Sequence, residues 1–166
     1  MTDMPPRPIA LVDDDDDLRA AMAQTLTLAG HEVRAFARAA DALAAIDADF
    51  PGVVVSDVRM PHMSGIDLFR ALHARDAELP VILVTGHGDV PMAVDALKAG
   101  AWDFLTKPFD PDALLASVAR ASEKRLLVIE NRRLRAMVDT AVASPLIGHS
   151  PAIERLRDMV ATLADT

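Results

Sequence analysis

Short apolar runs that end in an acid or a hydroxyl alternate with amphipathic stretches along most of the chain. Residues 8–13 read Pro-Ile-Ala-Leu-Val-Asp, a run short enough for a buried strand and bounded by a proline and by acid. Leu18, Met22, Leu26 and Ala29 then recur at helical spacing, and Gly30 supplies a stop. Glu32–Phe36 alternates weakly and predicts a strand, and Ala39–Ile46 predicts an alanine-rich helix. Val53-Val54-Val55-Ser56-Asp57 is a second buried strand ending in acid, after a Pro51-Gly52 turn.

The alternation continues through the next third of the chain. Residues 60–65 form a loop, and Ile66, Leu68, Phe69 and Leu72 mark one face of a helix reaching Arg75. Pro80 precedes the strand Val81–Val84, which ends at Thr85. After the Gly86-His87-Gly88 loop, Val90–Ala99 predicts a helix stopped by Gly100, and Trp102–Thr106 predicts a fifth strand before Lys107-Pro108. A last helix starts near Pro111, a favourable first-turn residue. Strands that alternate with helices predict a parallel sheet with helices on both faces. In such sheets functional groups gather at the carboxyl ends of the strands.

Those ends carry Asp13 and Asp14, Asp57, Thr85 and Lys107: three carboxylates, a hydroxyl and an ammonium. Close carboxylates repel one another and call for a cation, and hard oxygen ligands with room for water suit Mg²⁺. A hydroxyl, a lysine and a metal together suit a phosphoryl group, because each stabilises negative oxygens. A carboxylate beside the metal can act as nucleophile and become an acyl phosphate. The Asp13–Asp17 run leaves the metal ligands open by a residue, and Asp16 or Asp17 is the expected cap of the next helix. His87, with no second histidine nearby, reads as loop, while Trp102 and the scattered methionines read as core.

Composition narrows the field. At 166 residues, with 51% hydrophobic and 25% charged, the chain is globular and holds one domain with a sizeable core. It has no cysteine, which excludes disulfide scaffolds, thiolate metal sites and thiol catalysis. Pro5, Pro6 and Pro8 stand where a signal peptide would need an apolar segment, and no apolar run is long enough to span a bilayer. A cytoplasmic protein that touches no membrane is expected. The net charge of −8 disfavours nucleic acid as a partner of this chain. That charge is uneven: residues 1–118 hold 9 basic and 19 acidic groups, whereas residues 119–166 hold 8 and 6. A domain boundary near residue 119 follows.

Five ordered motifs, Val12-Asp13-Asp14, Ser56-Asp57-Val58-Arg59-Met60-Pro61, Ser64-Gly65, Val84-Thr85-Gly86 and Lys107-Pro108-Phe109, resemble the receiver domain of two-component response regulators. The resemblance implies a doubly wound, five-stranded, flavodoxin-like α/β fold over residues 1–122. It implies that Asp57 accepts phosphate from a sensor histidine kinase and that Asp13, Asp14, Asp57 and the backbone carbonyl of Arg59 hold Mg²⁺. Thr85 and Lys107 would contact the phosphoryl oxygens, and Phe104 matches the aromatic switch position. The same set is compatible with a haloacid-dehalogenase-type phosphatase, for which Asp13 and Asp15 would form D-x-D, although that family's paired acids late in the chain are missing after Lys107. The Lys107–Pro108 bond is expected to be cis, turning the ammonium back to the rim.

No Gly or Pro interrupts the chain between Pro111 and Pro145. Leu127, Leu134 and Ala141 are spaced by seven, with Met137 and Val138 between, which suits a short coiled coil with Asn131 near its seam. Residues 123–143 are therefore expected to be a helical dimerisation linker, and Leu127, Leu134 and Met137 its contacts. Ser144–Pro151 breaks the helix and Ala152–Leu163 resumes it. Residues 144–166 resemble the opening of the AAA+ ATPase domain of sigma-54-dependent activators. Residues 85–94 are similar to the dicarboxylate-transport and nitrogen-fixation regulators. Together these resemble the C4-dicarboxylate-transport class of sigma-54-dependent transcriptional regulators. No phosphate loop or helix-turn-helix is present, so a regulatory fragment is expected that neither hydrolyses ATP nor binds DNA. The full-length protein is expected to meet promoter DNA and sigma-54 RNA polymerase.

Overall fold

The computed structural model describes residues 7–143, with side chains to Thr140. By its internal contacts the chain divides into two units, residues 1–125 and residues 126–166.

In the first unit five strands alternate with helices: β1 (Arg7–Val12), α1 (Asp16–Leu28), β2 (His31–Phe36), α2 (Ala39–Ala45), β3 (Val53–Asp57), α3 (Gly65–Arg75), β4 (Val81–Thr85), α4 (Val90–Lys98) and β5 (Asp103–Thr106). A short 3-10 turn, His87–Asp89, precedes α4, and α5 runs Pro111–Ala143. All strand pairs are parallel, in the order β2-β1-β3-β4-β5. The order reverses at β1, so the crevice between the ends of β1 and β3 is the switch point where ligands bind in open sheets of this kind.

The two faces of the sheet divide the core by the period-two rule of a strand. Ala10, Val12, Val54 and Leu83 face α2, α3 and α4 with Ala42, Leu68, Phe69 and Leu72. Ile9, Leu11, Val53, Val55, Ile82 and Val84 face α1 and α5 with Met22, Leu26, Leu114 and Val118. The central strands β3 and β4 are buried throughout, which is why they read as unbroken apolar runs. β2 lies at an edge and is half exposed, which accounts for its weak alternation.

Several local expectations change. The cap of α1 is Asp15, whose carboxylate accepts from the amides of Asp17 and Leu18; Asp16 and Asp17 lie inside the first turn. The loop around His87 forms the 3-10 turn. Trp102 is more than a third exposed, because it precedes the edge strand β5, and Met92 is exposed on α4. Met60, expected to pack within its loop, packs against the core as part of its partly buried rim. The Lys107–Pro108 peptide is cis, as expected.

Within the first unit α5 carries a fully buried arginine. Arg125 donates through Nε to the Phe50 carbonyl at 2.8 Å and through Nη2 to Asp76 Oδ2 at 2.8 Å. A charge without exposure is tolerable only when paired and hydrogen-bonded. In the second unit, Leu127 and Met137 are 70% and 61% exposed, Leu134 is half buried, and Val128 and Val138 are buried. The expected break at residues 144–151, the helix over Ala152–Leu163 and the side chain of Ala141 lie outside the described residues. No described helix is long and apolar enough to cross a membrane.

Candidate functional site

β1 and β3 end side by side, with Val12 opposite Ser56, so the residues that follow meet at one rim. Asp13 keeps its backbone in register by donating its amide to the Phe36 carbonyl at 3.1 Å. Its carboxylate Oδ1 accepts the Asp15 amide at 2.9 Å, and Arg19 Nη1 takes its carbonyl at 2.7 Å. Its other oxygen, Oδ2, is buried without a hydrogen-bond partner. Oxygens of Asp13, Asp14 and Asp57 lie within 4.8 Å of one another. Burial is the largest cause that raises Asp13 to a pKa of about 6; the Asp15 amide opposes it, and the Asp57 carboxylate adds to the rise.

This is a donor set in need of a cation. An orphaned carboxylate oxygen, a raised pKa and three carboxylates in reach of one point fit a hard divalent ion such as Mg²⁺. Asp15 is not among the converging groups, because its carboxylate is occupied in capping α1. The D-x-D arrangement of the phosphatase alternative therefore does not form here.

Asp57 is buried at the end of β3, and Lys107 reaches it from beyond β5: Nζ lies 3.0 Å from Oδ2. The Lys107 amide donates to the Thr85 carbonyl at 2.8 Å, which fixes the lysine backbone to the end of β4. Thr85 is fully buried, and its hydroxyl donates to the Gly86 carbonyl at 3.1 Å. Phe104, on β5, is half buried and packs against the α2–α3–α4 core. The five rim residues thus come from the ends of four strands, β1, β3, β4 and β5.

The loop after Asp57 is held from below. Gly65 opens α3 directly against β3: its amide donates to the Val58 carbonyl at 2.9 Å, and a Cβ there would stand 2.1 Å from the Asp57 carbonyl oxygen. No larger residue fits without moving the end of β3. Ser64 caps α3 through a reciprocal box with Asp67.

The sequence reading gave Arg59 a role only through its backbone and passed over Asp89. In the structure the Arg59 guanidinium forks onto the Asp89 carboxylate, Nε to Oδ2 at 2.7 Å and Nη2 to Oδ1 at 3.1 Å. That hydrogen bond is the main cause that raises Arg59 and lowers Asp89 from their ordinary values. Arg19 was passed over too. Asp89 lay within the 85–94 stretch singled out by resemblance but gave no periodic signal; an arginine two positions after a strand-end aspartate was the available hint for its partner.

A model of the response regulator receiver domain matches residues 9–119. The chain is 56% identical over 159 residues to the C4-dicarboxylate transport transcriptional regulatory protein DctD of Rhizobium meliloti, covering 95% of this chain and 35% of that protein. It is 46% identical over 158 residues to the phosphoglycerate transport system transcriptional regulatory protein PgtA of Salmonella typhimurium, 95% of this chain and 37% of that one. The chain thus spans about a third of the length of these curated relatives. Among solved structures, full-length FixJ from B. japonicum superposes with a TM-score of 0.67 at 34% identity, over 96% of this chain and 90% of that one. The crystal structure of FixJ-N gives 0.65 at 42% identity, over 72% and 96%.

Proposed function

The chain belongs to the response regulator receiver family, and from that membership we propose that Asp57 is its phosphoacceptor, phosphorylated by a sensor histidine kinase. The observation that carries the proposal is the buried Asp57 carboxylate with Lys107 Nζ at 3.0 Å and the oxygens of Asp13 and Asp14 within 4.8 Å. A carboxylate oxygen of Asp57 attacks the phosphorus of a phosphohistidine. A P–O bond forms, the P–N bond breaks, and the electron pair leaves on the imidazole nitrogen. Asp57 acts here as substrate of a single transfer rather than as a turnover catalyst.

Asp13, Asp14, Asp57 and the Arg59 carbonyl are the residues that would hold Mg²⁺. When bound, the ion neutralises the carboxylates and the charge developing on the phosphoryl oxygens. Lys107, whose Nζ already reaches Asp57, would stabilise one further phosphoryl oxygen. Thr85 exchanges its bond to the Gly86 carbonyl for one to a phosphoryl oxygen, which moves the end of β4 toward Asp57. Phe104 follows from β5, and the α4 face is altered.

Residues 1–122 make up the receiver, residues 123–143 a dimerisation linker, and residues 144–166 the start of an AAA+ domain, as the domain organisation proposed here. Phosphorylation would change how two linkers pack, and in a longer protein of the DctD kind would thereby control transcription at sigma-54 promoters. Treating the chain with acetyl phosphate and Mg²⁺ and locating the label by mass spectrometry tests the acceptor. A mass shift of one phosphoryl group on the peptide holding Asp57, absent in Asp57→Asn, is expected. Label on Asp13 with release of inorganic phosphate from esters would reject this reading.

A further inference from the structure

Asp89 stands at the N-cap of α4, yet its side chain makes no cap bond. An aspartate there normally accepts an amide from the second or third helical residue. The second helical residue is Pro91, which has no N–H to give. The carboxylate turns instead to Arg59, thirty residues earlier, and takes both ends of its guanidinium fork. Asp89 is only 6% exposed, whereas the Arg59 side chain is 80% exposed. The buried member therefore fixes the exposed one, and a planar fork fixes direction as well as distance.

What this pair joins matters for the site. Arg59 belongs to the β3–α3 loop, two residues beyond Asp57. Asp89 belongs to the turn that leaves Thr85 and enters α4, and its amide donates to the Gly86 carbonyl at 3.1 Å. One cross-link thus spans the loop that carries the Arg59 carbonyl, read above as a Mg²⁺ ligand, and the turn that follows Thr85. We propose that Asp89 is a positioning residue for the cation site. Through its fork on Arg59 it holds the Arg59 carbonyl toward the cation and ties the filling of that site to the seating of the β4–α4 turn. The inference rests on the Mg²⁺ reading of Asp13, Asp14, Asp57 and the Arg59 carbonyl given above.

Groups that orient a ligand without touching the metal commonly change metal affinity by about 10–100-fold when removed. The exposure of Arg59 places this pair at the low end, about tenfold. Isothermal titration of the 166-residue chain with MgCl₂ reads it, alongside acetyl phosphate rates at saturating Mg²⁺ and melting in EDTA. Asp89→Asn is expected to raise the Mg²⁺ half-saturation about tenfold, with the saturated rate and the EDTA melting temperature unchanged. Adding Arg59→Gln to it is expected to cost nothing further, since the two act as a unit, and Asp89→Glu should recover most of the affinity. Unchanged half-saturation in Asp89→Asn, with binding lost in Asp13→Asn, overturns the role of the pair alone. Normal saturation in Asp13→Asn overturns the metal site, and the pair's role with it. A lower EDTA melting temperature and a matching loss of the saturated rate in Asp89→Asn overturn the inference in favour of a merely structural role.

Discussion

Lys107 Nζ lies 3.0 Å from Asp57 Oδ2 across fifty residues of sequence. Neither residue can find the other through local structure. β3 delivers the acid to the switch point, and the amide of Lys107, bound to the Thr85 carbonyl, sets the lysine on the neighbouring strand end. The lysine side chain is one-third exposed and that of the aspartate is buried, so the lysine enters from solvent and the acid waits below.

Lys107→Met should therefore keep the fold and slow phosphorylation by about 10²-fold, the usual effect of removing one preorganised donor to a developing anion. Lys107→Arg should recover part of the rate, because the charge returns without the same reach. Single-turnover labelling by acetyl phosphate at saturating Mg²⁺ measures both.

The buried Asp13 carboxyl gives the metal-free chain a distinctive pH dependence. Its folded pKa, about 6, lies above the ordinary value of 3.8, so the folded state binds the proton more tightly than the unfolded one. Its contribution to stability is then present below about pH 4 and is lost as pH rises through about 6, by an amount of about 3 kcal/mol. Urea melts in EDTA should show Asp13→Asn stabilising the chain at pH 7.5 and near neutral at pH 4. Mg²⁺ should bind more weakly at pH 5.5 than at pH 7.5, since it must displace this proton. Calorimetry in buffers of different ionisation enthalpy would detect the released proton.

Arg125 and Asp76 form a fully desolvated pair far from the rim, with the Phe50 carbonyl as a third member. Asp76→Ala should cost about 3–5 kcal/mol, because it strands a buried guanidinium. Replacing both partners, as in Asp76→Leu with Arg125→Met, should recover much of that loss. Urea denaturation of the three variants reads the difference, and Mg²⁺ binding should survive in any variant that folds.

The linker reading makes a separate claim. Leu127 is 70% exposed in the single chain, and Leu134 follows it by one heptad. Burying such side chains in a dimer is worth roughly 1.5–3 kcal/mol each. Leu127→Asp with Leu134→Asp should give a monomer in sedimentation velocity, with phosphorylation of Asp57 intact. A double variant that stays dimeric would move the dimer contact elsewhere.

The sequence by itself determined the alternation of strands and helices, the burial of β3 and β4 and the strand ends at Asp57, Thr85 and Lys107, and left the acids of the Asp13–Asp17 run open by a residue. Each rests on information local to a short stretch: the period of a strand or helix, and an acid, hydroxyl or lysine where an apolar run ends. The resemblance of five short motifs added the family and the strand topology to that reading. Tertiary structure alone decided what meets across the chain. It placed the α1 cap on Asp15, because only the realised turn says which of five successive aspartates faces the helix amides. It left Trp102 partly in water, because an apolar residue beside an edge strand has nothing to cover its outer side. It paired Arg59 with Asp89 and Arg125 with Asp76, over separations of 30 and 49 residues. Charged side chains carry no periodic signal, and their partners are chosen by the path of the loops that bring them together.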